Sequence, residues 1–184
     1  SVTAASIGGS LRLHDFDGGC KIKSVKADDG KNLLYLINNT MMRIDLPQPL
    51  APGKQISFSI DWSFNINNRI HGMTPNDGRS GMEYFPADGN YLYIIAQWYP
   101  RMCVYDDVVG WQNKQFLGQG EFTLSFGNFT VNLTVPSDHI VAGTGMVQNI
   151  KELLTSEQYQ RFEKAKTSFD KPVIIVTQAE AVAK

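Results

Sequence analysis

Apolar and polar residues alternate along much of this chain with the two-residue period of half-buried β-strands. Short strand-like runs fall at 20–25 and 33–37. Between them Asp28-Asp29-Gly30 is a turn signal. A third run at 41–46 stops at "LPQPLAPGKQ", where three prolines and Gly53 remove ladder donors and force a turn. Residues 55–64 alternate well, with Ile56, Phe58, Ile60 and Trp62 on one face. From 65 to 90 the rhythm breaks into Asn, Gly, Asp and Pro, which predicts a long loop of the kind that is often functional. A strand resumes at 91–98. Strands at 121–126 and 129–135 follow, joined by Gly127-Asn128, a reversed version of the favoured hairpin turn. The last third changes period. Thr155 and Gln158 have capping-box spacing, and Tyr159 and Phe162 recur at helical intervals. The spacing predicts an amphipathic helix over 156–167, with Glu157 and Arg161 placed to pair across one turn. A closing strand is expected at 173–177. The fold class is therefore mainly β: two packed antiparallel or mixed sheets, saddle- or sandwich-like, with one short C-terminal helix.

Composition narrows the function classes. The chain has 184 residues, which suits a single domain over 1–184, and hydrophobic residues make up 42%. Lys plus Arg number 17 against 18 Asp plus Glu, with no basic run, so no nucleic-acid partner is expected. No apolar stretch approaches the roughly 20 residues of a membrane span. The start, Ser1-Val-Thr-Ala-Ala, lacks Met and a leader pattern and reads as a cut edge. The two cysteines, Cys20 and Cys103, belong to no CxxC pair. Each is expected as a small buried hydrophobe, and spacing does not decide whether they are bridged.

Site chemistry within the chain is sparse. His14, His71 and His139 have no second ligand at helical spacing, and there is no HExxH, so no metal site is expected in this chain. His139 reads as a partly buried structural residue. No G-x-S-x-G nucleophile elbow is present, and "GTG" at 143–145 lacks the Lys and Ser or Thr of a phosphate loop. The sequons at Asn38, Asn128 and Asn132 read as chance. Adjacent Asp106 and Asp107 point to opposite sides of an extended chain. They read as a turn in which one Asp binds backbone amides and one pairs with Arg101.

One stretch carries a resemblance. "YIIAQWYPRMCVYDDVVGWQNKQFLGQGEFTLSFGNFTVNLTVPSDHIVAGTG" resembles the amino-terminal β-domain of zinc-dependent aminopeptidases of the aminopeptidase N family, in a bacterial branch. Better-known members carry Thr-Gln-Phe-Glu-Pro, an Arg, then Phe-Pro-Cys-Phe-Asp-Glu-Pro. Here Gln97 and Pro100 match the first part, and "CVYDD" at 103–107 matches the second with a shortened connection. The specific resemblance covers about 91–150, with looser agreement over 20–64. Residues 151–184 resemble the exit toward the catalytic domain. "SGMEY" at 80–84 resembles the Gly-x-Met-Glu-Asn exopeptidase motif, but it lies in the predicted loop and is read as coincidence.

The resemblance implies that Gln97 faces the first substrate residue. Tyr99 stands where many relatives have Glu or Gln, so it would offer a hydroxyl and an aromatic wall but no carboxylate. Arg101, with Asp106 or Asp107, would organise the loop, and Gly118, Gly120 and Glu121 would shape the next strand entry. The implied partners are the parent's own catalytic domain, which would hold the zinc and is absent here, and a peptide substrate. Alone, the chain should not hydrolyse peptides. Two other readings remain open: a non-catalytic β-sandwich module binding peptide or glycan through Trp98, Tyr99 and Trp111, and a structural domain of an inactive relative.

Overall fold

The computed structural model describes residues 17–68, 80–115 and 123–183. His14, His71, Gly118, Gly120 and Glu121 lie outside them. The chain divides into two compact units, Ser1–Gly127 and Asn128–Lys184.

The first unit is mainly β and antiparallel, as the alternation predicts. Among the described residues its strands form four two-stranded ladders. Strand β1 (Lys21–Ala27) pairs with a later strand, Phe58–Ser63, while β2 (Leu34–Asn38) pairs with β3 (Met41–Asp45). Phe58–Ser63 is β4. Over Phe58–Ser63 its odd-even burial is what the alternation predicts: Phe58, Ile60 and Trp62 are half-buried, and Ser59, Asp61 and Ser63 are exposed, whereas Ile56, expected on the same face, lies ahead of the strand and is exposed. Across the ladder Val25 faces Ile60 and Ile22 faces Trp62, with the register shifting between Ile22 and Ser24. Val25 is 1% exposed, and Leu33, whose amide donates to the Val25 carbonyl at 2.9 Å, is 6% exposed. Among the described residues of the unit these two are the buried apolar side chains.

The β2–β3 turn needs Asn39 at a left-handed φ of 51°, which Asn tolerates better than most residues. Gln115 ties this turn down: its Oε1 accepts from the Thr40 amide at 3.1 Å and its Nε2 donates to the Asn38 carbonyl at 2.7 Å.

Strand β5 (Gly81–Phe85) corrects the loop expected across 65–90. It pairs in register with β6 (Asn90–Ile94), Tyr84 opposite Tyr91 and Met82 opposite Tyr93. The turn chemistry of Pro86-Ala-Asp-Gly89 coloured the whole window, yet Met82-Glu83-Tyr84-Phe85 has the apolar and aromatic content of a strand. Two short strands, β7 (Tyr105–Asp106) and β8 (Gly110–Trp111), close the set.

Over its described residues, 123–126 and 129–135, the expected hairpin does not form. Residues 123–135 are described without any ladder, and Phe126 is fully exposed. The division between the two units falls between Gly127 and Asn128, at the expected turn. Alternation marks a face that can be buried; a strand also needs a backbone partner, which composition cannot supply.

The second unit carries helices α1 (Ile150–Leu153), α2 (Ser156–Ala165) and α3 (Gln178–Val182). The reciprocal cap foreseen at Thr155 and Gln158 is present, with Gln158 Oε1 accepting from the Thr155 amide at 3.1 Å. Tyr159 and Phe162 stack at 6.3 Å on one helix face. The closing strand expected at 173–177 is absent. Thr177 instead caps α3 through a second box, with Glu180 at the same three-residue spacing. Arg161 pairs with Glu180 and not, as expected, with the Glu157 side chain; its Nε donates to the Glu157 carbonyl at 3.4 Å.

Glu180 thus accepts from Arg161 at one oxygen and from the Thr177 amide and hydroxyl at the other. Arg161 first, then Thr177, holds its carboxyl down from 4.5 to about 2. Because the folded-state pKa is depressed, this contribution to stability is complete above the ordinary 4.5 and is lost as pH falls through about 2. In an NMR titration of the folded chain, the Glu180 carboxyl should titrate far below the other glutamates. A midpoint near 4.5 would show that the tie between α2 and α3 is absent in solution.

Candidate functional site

Four chain segments converge on one half-open cavity of about 230 Å³ in the first unit. They are 19–20 before β1, 64–67 after β4, 80–81 entering β5 and 95–98 leaving β6. The walls are fixed by backbone. The Met82 amide donates to the Asn67 carbonyl at 2.7 Å, and Asn68 bridges Met82 in parallel beside β5. Side chains add to this: Asn65 Nδ2 donates to the Asp17 carbonyl at 2.8 Å, and Lys21 pairs with the Asp17 carboxylate.

Gln97 lines this cavity. The strand expected to run to Trp98 ends at Ile94, and the chain turns at Gln97 through a left-handed φ of 52°. A Gln there costs about 1–2 kcal/mol of backbone strain, so neighbouring contacts must hold it. The Trp62 indole supplies one: Nε1 donates to the Trp98 carbonyl at 3.1 Å, and the two indoles stack with centroids 6.2 Å apart. The core-facing stripe of β4 therefore positions the residue that follows Gln97.

Tyr99 is not part of the wall. It is half-buried and meets Trp98 edge-on, with centroids 5.1 Å apart. Trp98 is likewise half-buried, whereas Trp111 is 53% exposed and packs edge-on against Tyr105 at 5.3 Å. The three aromatics therefore do not form one surface row. A row does exist on β5 and β6: Tyr84 and Tyr91 are 4.8 Å apart, Tyr91 and Tyr93 6.1 Å, all three exposed.

Between β7 and β8 the chain turns at 107–109, as the paired aspartates suggested. Asp106 accepts from the Val108 and Val109 amides at 3.1 and 2.9 Å and from Gln112 Nε2 at 2.6 Å. The Val109 amide, then Gln112, lowers its pKa. Asp106 organises this loop. Among the described residues no ion pair joins Arg101 to Asp106 or Asp107; Arg101 and Asp107 are exposed.

Several wall residues were not singled out from sequence: Cys20, Asn65, Asn67 and Ser80. The signal available was the continued alternation of Phe64-Asn65-Ile66-Asn67 beyond β4, overshadowed by the turn-rich residues after it. Cys20 is exposed, correcting the buried hydrophobe expected there, yet partial desolvation raises its thiol pKa. Cys103 is half-buried, its sulfur 3.8 Å from Met41 Sδ, and both thiols are free. His139 Nδ1 lies 2.8 Å from Asp138, whose pKa the contact lowers. Among the described residues no group of three or more His, Cys, Asp or Glu converges to hold a metal, and no helix is long and apolar enough to cross a membrane.

No family model, curated protein or solved structure matches the chain.

Proposed function

We propose that this chain is the amino-terminal scaffold and substrate-pocket domain of a zinc aminopeptidase, which removes amino-terminal residues from peptides. The observation that carries the reading is Gln97, held at a left-handed φ of 52° on a cavity wall at the end of β6. Its place in "AQWYPRM", where the resemblance puts a substrate-facing Gln, agrees with that position. Strain retained at a polar residue beside a cavity is a common mark of a functional position. The parent's catalytic domain would supply the zinc, which activates water for peptide hydrolysis. This chain's contribution would be to shape the wall facing the first residue and to offer a neutral amide there.

The test uses the complete natural polypeptide, assayed with aminoacyl nitroanilides before and after chelation. Hydrolysis that is lost with the metal and restored by zinc is expected, with none from the 184-residue chain alone. A complete polypeptide that does not hydrolyse these substrates, or that does so after metal removal, would overturn the proposal.

The exposed row Tyr84, Tyr91 and Tyr93 supports a second reading, a non-catalytic module that stacks sugar rings or peptide side chains. It predicts ligand binding lost in Tyr91→Ala and no zinc-dependent hydrolysis by the complete polypeptide.

A further inference from the structure

We infer that the cavity beside Gln97 selects an uncharged side chain of one residue's size, apolar or aromatic, and rejects charged ones; this rests on the substrate-pocket reading. Size is the first argument. At about 230 Å³ the space exceeds the roughly 150 Å³ that takes a benzene ring, and falls below the roughly 300 Å³ where pockets for larger molecules begin.

Wall chemistry is the second argument. Phe64, Ile66 and Ile95 give apolar surface, while Asn65, Ser80 and Gln97 give polar atoms without charge. Among the described wall residues Cys20 is the one ionisable side chain, and its raised pKa keeps it a neutral thiol at neutral pH. Asp17, whose carbonyl accepts from the wall residue Asn65, is already paired with Lys21. An ammonium or carboxylate entering here would shed water and meet no countercharge among the described wall residues. An aliphatic or aromatic group would exchange water for apolar wall, which is favourable.

Cys20 also provides the readout, because a ligand in the cavity covers its thiol while Cys103 serves as an internal control in the same chain. The intact chain is alkylated with iodoacetamide in the presence of phenylalaninamide, leucinamide, lysinamide or isoglutamine. All four share the same backbone amine, so differences report the side chain. At about ten times its Kd, a bound ligand slows Cys20 alkylation about tenfold by mass action. Phenylalaninamide and leucinamide should do this at concentrations where lysinamide and isoglutamine do not, with Cys103 unaffected. No selective protection, or equal protection by lysinamide, would overturn the inference. The two readings fail separately. Protection without zinc-dependent hydrolysis by the complete polypeptide would leave the cavity's selectivity standing and remove the peptidase. Hydrolysis of lysyl substrates as fast as leucyl ones would keep the peptidase and remove the selectivity.

Discussion

Trp62→Ala is expected to destabilise the first unit by about 3 kcal/mol and to release the backbone around Gln97. The magnitude has two parts. A half-buried indole covers on the order of 100 Å² of apolar surface, worth about 2.5 kcal/mol at about 25 cal/mol per Å². The bond from Nε1 to the Trp98 carbonyl, 3.1 Å long, adds about 1 kcal/mol. Trp62→Phe separates the two parts, since it keeps a ring opposite Ile22 and deletes the donor. It should cost about 1 kcal/mol and still loosen the turn at Gln97. All three tryptophans, Trp62, Trp98 and Trp111, lie in the first unit, so fluorescence during urea unfolding reports that unit alone. A midpoint that does not move in Trp62→Ala would mean that the stacking and hydrogen bond between Trp62 and Trp98 do not hold the unit together.

The legibility of this structure follows a physical division. Features set by neighbours in sequence were readable. The alternation over 58–63 became the burial pattern of β4, and the Thr155–Gln158 spacing became a reciprocal cap. Asp106 took the turn role that a carboxylate ahead of free amides favours. Features that depend on a distant partner were not readable. Residues 129–135 alternate as cleanly as β4 and yet have no ladder. Glu180 drew Arg161 from across the loop, although Glu157 lay one turn away on the same helix. One miss was avoidable, for Thr177 and Glu180 carry the same capping signature as Thr155 and Gln158. The resemblance singles out Gln97, which lines the cavity, but its left-handed backbone has no signal in the sequence. No local rule places a Gln at φ 52°, and the bond that holds the next residue comes from Trp62, 36 positions away in sequence.

That strain leads to the second large expectation, a split between stability and ligand binding at one position. Gln97→Gly should stabilise the first unit by about 0.5–1 kcal/mol, because Gly adopts φ 52° without a Cβ clash, less the entropy Gly gains when unfolded. Gln97→Val should cost about 1–2 kcal/mol, since a β-branched side chain fits that region worst. Gln97→Asn should be near neutral, being a residue that tolerates the left-handed region. Ligand protection at Cys20 should follow the reverse logic. Removing the amide in Gln97→Gly should weaken it about tenfold, the loss of roughly 1.4 kcal/mol of hydrogen bonding, while Asn, one methylene short, should fall between. On the proposed peptidase reading, the same ordering is expected in kcat/KM of the complete polypeptide. A Gly variant less stable than the parent chain would show that the left-handed turn is not the solution conformation. A Gly variant more stable and equally protective would show that Gln97 is strained for packing alone. Only the combination of gained stability and lost binding fits a residue kept in an unfavourable conformation so that its amide faces a ligand.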